Sequence, residues 1–314
     1  MSNNHRRLTA AIFLAGLAMA MPVAAQEGKG DPVLASEYSE KGADTCLMCH
    51  TVESFFKTKH AQRADPRTPF AKAQCETCHG PGGKHAKGMM EGANIKDVPM
   101  LNFGAKSKHS AAVQNKRCLS CHERDSRIGW KGSQHEQAEV ACASCHKIHT
   151  TRQAVLTAKG QADVCYGCHI QQRTDFNKPY AHPVRYGTIR CSDCHAPHGS
   201  ATGGKLLAKQ TLNQTCYTCH AEKRGPLLWE HAPVSEDCSL CHAPHGSVHQ
   251  ALLKKPAPLL CQQCHSPAGH PSIAYTAQGL PGGAPSGFLL AGSCTNCHTQ
   301  VHGSNHPSGA RLMR

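Results

Sequence analysis

Short helices joined by irregular segments, with little or no β structure, are the fold class this sequence predicts, and three observations predict it. Leu, Val, Ile and Phe together supply only 48 of 314 residues, a share at which side-chain burial does not offset the entropy of ordering the backbone. No heptad, alternating strand pattern or phosphate-binding glycine loop interrupts the chain. A five-residue cysteine–histidine motif recurs from residue 46 to residue 298, at intervals too short for independent apolar domains.

That motif, C-x-x-C-H, occurs at Cys46/Cys49/His50, Cys75/Cys78/His79, Cys118/Cys121/His122, Cys142/Cys145/His146 and Cys165/Cys168/His169. It continues at Cys191/Cys194/His195, Cys216/Cys219/His220, Cys238/Cys241/His242, Cys261/Cys264/His265 and Cys294/Cys297/His298. Ten copies use all 20 cysteines. The spacing lets two thiols add to the vinyl groups along one porphyrin edge, and the following imidazole becomes the proximal iron ligand. Structural zinc also uses C-x-x-C pairs, but it does not require a histidine after the second cysteine. Here all ten are followed by histidine, although His makes up only 24 of 314 residues. Disulfides fit worse, because a two-residue loop is a poor staple. The cofactor expectation is therefore ten covalently bound haems c, with the cysteines as thioether anchors and the ten motif histidines as proximal ligands. The fold class becomes a multihaem cytochrome c, an elongated linear array of ten haems. The porphyrins supply the apolar surface the chain lacks.

Most intervals between motifs are 17 to 24 residues, room for one short helix and a loop. Two are longer: Gly80–Arg117, with "GPGGKHAKG", and Ser266–Ser293, with "GLPGGAPSG". Both are expected to be irregular loops. A larger unit overlies the motifs. Residues 182–220 run from His182 through Cys191, His198-Gly199 and "KLLAKQ" to Cys216, and residues 231–265 repeat the order with His231, Cys238, His245-Gly246 and "ALLKKP". Residues 135–169 match more loosely, and the period is about 48 residues.

Outside the motifs, histidines recur at fixed offsets, which marks them as sixth ligands. His60, His85, His109, His135, His149, His182, His198, His231 and His245 are assigned to nine irons, and His302 to the tenth, with His270 and His306 as rivals. His198 lies too close to His195 to face the same porphyrin, so it is expected on a neighbouring haem. Past the leader, the methionines (Met48, Met89, Met90, Met100, Met313) keep no regular offset. Histidine on both faces gives low potentials and no open iron. An electron conductor is expected, not an enzyme, and no catalytic residue is assigned.

Residues 1–25 have a basic start at Arg6-Arg7, an apolar run and small residues before Gln26. They form a cleavable secretory signal, too short for a membrane span. The expected organisation is this signal, an N-terminal linker over 26–43, and a decahaem domain over 44–314 in two approximate halves, 44–170 and 171–314. Net charge is +13; such an excess can signal nucleic acid, but two propionates per haem outnumber it, so nucleic acid is not an expected partner.

From about Asp44 to the C-terminus the ten motifs, the "C-x-x-C-H-A-P-H-G" pairs, "CETCHGPGGKH" at 75–85 and "CHTQVHGSNHPSG" at the end resemble the Mtr-type periplasmic decahaem cytochromes, including their Mto, Pio and DmsE-type members. The resemblance implies a periplasmic wire seated in an outer-membrane β-barrel porin. Its further partners would be inner-membrane or periplasmic cytochromes and an extracellular multihaem cytochrome, in metal reduction or ferrous-iron oxidation. The alternative is a soluble periplasmic shuttle to a terminal reductase. The intact mass of exported protein, made with full haem-attachment machinery, is expected to equal the processed chain plus ten haems. A reproducible lower occupancy contradicts the motif reading.

Overall fold

The computed structural model describes residues 36–200, 205–265 and 294–313. The expected signal, the loop Ser266–Ser293 and His270 lie outside the described residues. Among the described residues there are only short helices, the longest Ala111–Leu119 at nine residues, and isolated β-bridges in place of strands. The helix-poor, strandless architecture is the one expected.

The helices follow the motifs with a period of two. In the odd motifs the first cysteine lies at or near a helix C-terminus, as in Ala43–Leu47, Ala111–Leu119, Gly160–Tyr166, Leu212–Cys216 and Ala257–Cys261. In the even motifs the first cysteine opens a helical turn, as in Cys75–His79, Cys142–Cys145, Cys191–Cys194, Cys238–Leu240 and Cys294–Asn296. Either way the motif forms one turn. The backbone N–H of His122, His146, His169, His195, His220 or His298 donates to the carbonyl of its own first cysteine at 2.9 Å. A four-residue offset on a helical turn puts cysteine and histidine on one face.

Buried amides join three of the five odd helices to the next even turn. Asn115 accepts from the Cys142 N–H at 2.7 Å and donates to the Val140 carbonyl at 3.0 Å. Asn213 accepts from the Cys238 N–H at 2.8 Å and donates to the Val234 carbonyl at 2.9 Å. Gln161 accepts from the Ser192 N–H at 2.9 Å. All three side chains are buried, where loss of one leaves backbone groups unsatisfied, at about 1–3 kcal/mol each.

The stretch Gly80–Arg117 is not the irregular loop its glycines suggest. Residues Gly83–Met90 form an eight-residue helix, and Ala111–Leu119 begins inside the same interval. Buried Glu76 organises the first of these. Its carboxylate accepts from the Gly82 N–H at 2.6 Å and from the Ser39 N–H at 2.9 Å, fixing the helix start against the N-terminal segment. The Gly83 N–H also donates to the Glu37 carbonyl at 2.8 Å. Tertiary partners here override the low helix propensity of glycine.

Among the described residues an apolar core is nearly absent. Phe176, Val184 and Ala162 form a small cluster with Tyr166, Ala181 and Ile189 against it, and Leu101 is the largest side chain fully buried.

Successive units interlock through backbone at the His-Gly pairs. Gly199, at φ +118°, lies against the Gly129 backbone; a Cβ there would collide with the Gly129 carbonyl. Gly246 meets the Asp175 carbonyl in the same manner, and Gly303 packs on the Leu227 side chain and close to the Trp229 carbonyl. Two-way backbone hydrogen bonds reinforce the later contacts: Tyr180 with Ser247 at 3.1 and 2.7 Å, and Trp229 with Ser304 at 2.8 Å each way. Replacing Gly199 with Ala adds both positive-φ strain and a backbone clash, together more than about 1–3 kcal/mol. Thermal unfolding of G199A is expected at least several degrees below the parent; an unchanged transition contradicts the close approach.

Candidate haem centres

Nine of the ten motif histidines face a second histidine ring. The pairs are His50 with His85 at 6.4 Å between centroids, His122 with His60 at 5.9 Å and His79 with His149 at 5.9 Å. Next come His169 with His135 at 6.2 Å, His146 with His198 at 6.0 Å and His220 with His182 at 6.3 Å. The series closes with His195 and His245 at 5.9 Å, His265 and His231 at 6.1 Å, and His242 and His302 at 6.0 Å. A first-row metal–imidazole bond is about 2 Å long; adding a ring radius at each end puts two imidazoles on opposite sides of one metal about 6 Å apart. The spacing fits a shared iron.

The pairing obeys a register. Even motifs two, four, six and eight take the histidine that follows the motif two places on: His149, His198, His245 and His302. Odd motifs three, five, seven and nine take the histidine that precedes the motif before them: His60, His135, His182 and His231. Each pair therefore joins stretches distant in sequence.

The second nitrogen of one ring in nearly every pair is fixed. Among even motif histidines, His79, His195 and His242 donate Nδ1–H to the carbonyls of Leu101, Lys205 and Ala251 at 2.8–2.9 Å. His146 donates to Gln153 Oε1 at 2.9 Å, and His298 to the Arg311 carbonyl at 2.7 Å. In the odd centres the partner ring is held instead. His85, His135 and His182 donate to the Val98, Pro197 and Pro244 carbonyls at 2.7 Å, and His231 to the Val301 carbonyl at 2.9 Å. A proton held on Nδ1 leaves the Nε2 lone pair free for metal, and the hydrogen bond raises ligand basicity. Burial pushes the pKa of His60, His79, His149, His198, His245 and His302 down, favouring the neutral form a metal needs.

The cysteine side chains, described as free thiols, order the motifs in space. First cysteines meet in five pairs: Cys46 with Cys75, Cys118 with Cys142, Cys165 with Cys191, Cys216 with Cys238, and Cys261 with Cys294. Thiol–thiol hydrogen bonding brings Cys75 and Cys191 down to about 7 and pushes Cys46 and Cys165 up. Second cysteines act on one another in the intervening steps: Cys78 with Cys121, Cys145 with Cys168, Cys194 with Cys219, and Cys241 with Cys264. Each motif thus neighbours the next in sequence, through alternating cysteines, from the first to the tenth. Haem c held at such a motif would supply a one-electron couple.

A family model described as a doubled CXXCH motif matches residues 182–225 and 231–270. One described as cytochrome c-type protein NrfB-like matches 75–162, and one for cytochrome c554 and c-prime matches 18–80. "Multiheme cytochrome MtrA" of Shewanella baltica is 51% identical over 283 residues, covering 88% of this chain and 83% of that protein. The chain belongs to the MtrA family of multihaem c-type cytochromes. "Cytochrome c-type protein NrfB" of Escherichia coli is 33% identical over 138 residues, 42% of this chain and 68% of the relative. As an MtrA-family protein the chain is an electron-transfer protein carrying covalent haem c at its C-x-x-C-H motifs.

One histidine stands elsewhere than the sequence spacing put it. His302, assigned to the tenth motif, faces His242 of the eighth. At His109 the backbone N–H donates to Ser107 Oγ at 3.1 Å and the carbonyl accepts from Gln114 at 2.9 Å. His198 avoids its own motif as expected, but it reaches His146, two motifs back, and not an adjacent one. The buried amides Asn115, Gln161 and Asn213 went unnoticed in the sequence. Their one signal is position, three or four residues before the first cysteine of an odd motif.

Cys49 and Cys297, the second cysteines of the first and tenth motifs, are exposed, as are Cys121, Cys168, Cys194, Cys219 and Cys264. Both sit on the motif turn, with the Cys49 N–H donating to the Cys46 carbonyl at 3.2 Å and the Cys297 N–H to the Cys294 carbonyl at 3.3 Å.

In the loaded MtrA-family protein, H302A should open one iron and give a single high-spin ferric signal by electron paramagnetic resonance. Removing the eighth motif's cysteines (C238A/C241A) in that background should abolish the signal, whereas removing the tenth's (C294A/C297A) should not. The reverse pattern returns His302 to the tenth haem.

Proposed function

We propose that this chain is a periplasmic decahaem cytochrome that conducts electrons through an outer-membrane β-barrel porin. It would link periplasmic or inner-membrane cytochromes to extracellular donors or acceptors in metal reduction or iron oxidation. One observation carries the reading: the motifs neighbour one another in sequence order along the whole array, so centres attached to them form one path with two ends.

On this reading each motif carries one haem, ten in all, and each histidine pair is the axial ligand set of one iron. The processed chain starts after residue 25. A bilayer is about 40–45 Å thick with its headgroups, a span suited to many haems in series. Mean hydropathy is −0.45, and no helix among the described residues is long and apolar enough to cross a membrane. Exposed polar backbone is not tolerated in hydrocarbon, so a path of this polarity crosses only inside a sheath, and a large barrel with a polar lumen provides one. Likeness to a protein named MtrA over 88% of the chain supports the same reading.

Liposomes with an encapsulated redox dye and an impermeant donor or acceptor outside test it. Barrel plus cytochrome is expected to change the dye's redox state in either direction, following the imposed gradient, while neither component does so alone. A cytochrome that binds no barrel and exchanges electrons only with soluble partners is a periplasmic shuttle instead.

A further inference from the structure

Buried polar atoms in folded proteins almost always find a partner. Among the described residues, four buried side-chain atoms have none: Thr58 Oγ1, Arg127 Nε, Trp130 Nε1 and Tyr166 Oη. The hydroxyls can donate or accept. The indole and guanidinium N–H groups can only donate, and these two lie three residues apart, so they need an acceptor that the chain does not provide.

Their surroundings say what it is. Trp130 is 6% exposed, and its ring lies 6.5 Å from that of His198, which faces His146 of the fourth motif. The Arg127 charge acts on His198 and on His122 of the third motif, so the guanidinium lies in the neighbourhood of both rings. Its other contact, Nη2 to Asp125 at 3.4 Å, reaches a carboxylate that is 84% exposed, and leaves Nε unused. The segment is well held. The Trp130 N–H donates to the Arg127 carbonyl at 2.9 Å, and Gly129 packs on Gly199, next to His198. A rigid pair of buried donors, one of them cationic, calls for an anionic oxygen. Haem brings two carboxylates to each motif.

We infer that Arg127 and Trp130 bind a propionate carboxylate of the haem held between His146 and His198. This rests on the haem reading above. The two side chains keep that propionate ionised in a buried place and offset its charge. The fourth iron then sits at a higher potential than it would beside an unpaired carboxylate, because an uncompensated anion favours the ferric state.

The loaded protein tests this directly, since it has two tryptophans. The Trp229 indole already donates to the His306 carbonyl at 2.9 Å, so W229F isolates Trp130 for ultraviolet resonance Raman spectroscopy. A hydrogen-bonded indole N–H is expected, with the bond weakening on acidification as the carboxylate protonates. The band should shift in W229F/R127L and recover partly in W229F/R127K. In a redox titration, R127L should move a single component to lower potential. A free indole N–H overturns the inference, as does a bonded one indifferent to both pH and R127L, which marks a water or backbone acceptor. Intact mass, measured on the same samples, separates this from failure of the haem reading: a fourth motif without haem would remove the reading itself.

Discussion

Pairing of imidazoles from distant stretches of chain is the constraint on which the rest of this structure depends. The described residues contain almost no apolar core, so hydrophobic burial within the polypeptide does not hold the units in order. Nine histidine pairs at 5.9–6.4 Å are placed so that a shared metal would do so, each spanning two or more motifs. A metal between such rings ties folding to cofactor binding, since a site assembled from separated ligands does not exist in the unfolded chain.

The local devices serve that register. The Pro197 carbonyl fixes the His135 ring, and the next residue, His198, faces His146. One short hydrogen-bonded turn, closed by the Gly199 N–H donating to the Ala196 carbonyl at 3.0 Å, therefore serves two centres of the preceding unit. Pro244-His245 does the same for His182 and His195, and Val301-His302 for His231 and His242. The glycine after each of these histidines lets the segment touch the preceding unit's backbone. Removing a ring's backbone acceptor would affect one centre; displacing the whole segment would affect two.

Function follows from continuity. Motifs joined first cysteine to first, then second to second, produce a path that neither branches nor skips a motif. Electron transfer along it needs no moving part, and the direction of flow is set by what meets each end. On the proposed reading the polypeptide would contribute attachment and paired rings with one nitrogen held, while haem would supply the redox couple.

Much of this was legible in the sequence because covalent attachment is a local requirement. Two thiols, a histidine and a fixed spacing fit within five residues, so the thioether anchors and motif histidines could be read without a fold. The scarcity of apolar residues and the short intervals settled the helix-poor, strandless class in the same manner. The offsets marked the candidate second histidines, but not the ring each one faces. A histidine three or four residues past a motif cannot pass around its own porphyrin, and the linear sequence does not say which other one it reaches. Thus His302, nearest the tenth motif in the chain, meets the eighth. The helix Gly83–Met90 was hidden for a related reason: it depends on buried Glu76 and on a neighbouring segment, not on its own glycine-rich composition. The sequence by itself determined the motifs, their spacing and the candidate ligands. Only the tertiary structure decided which rings face one another, because that choice is made by contacts between units that no short stretch of chain contains.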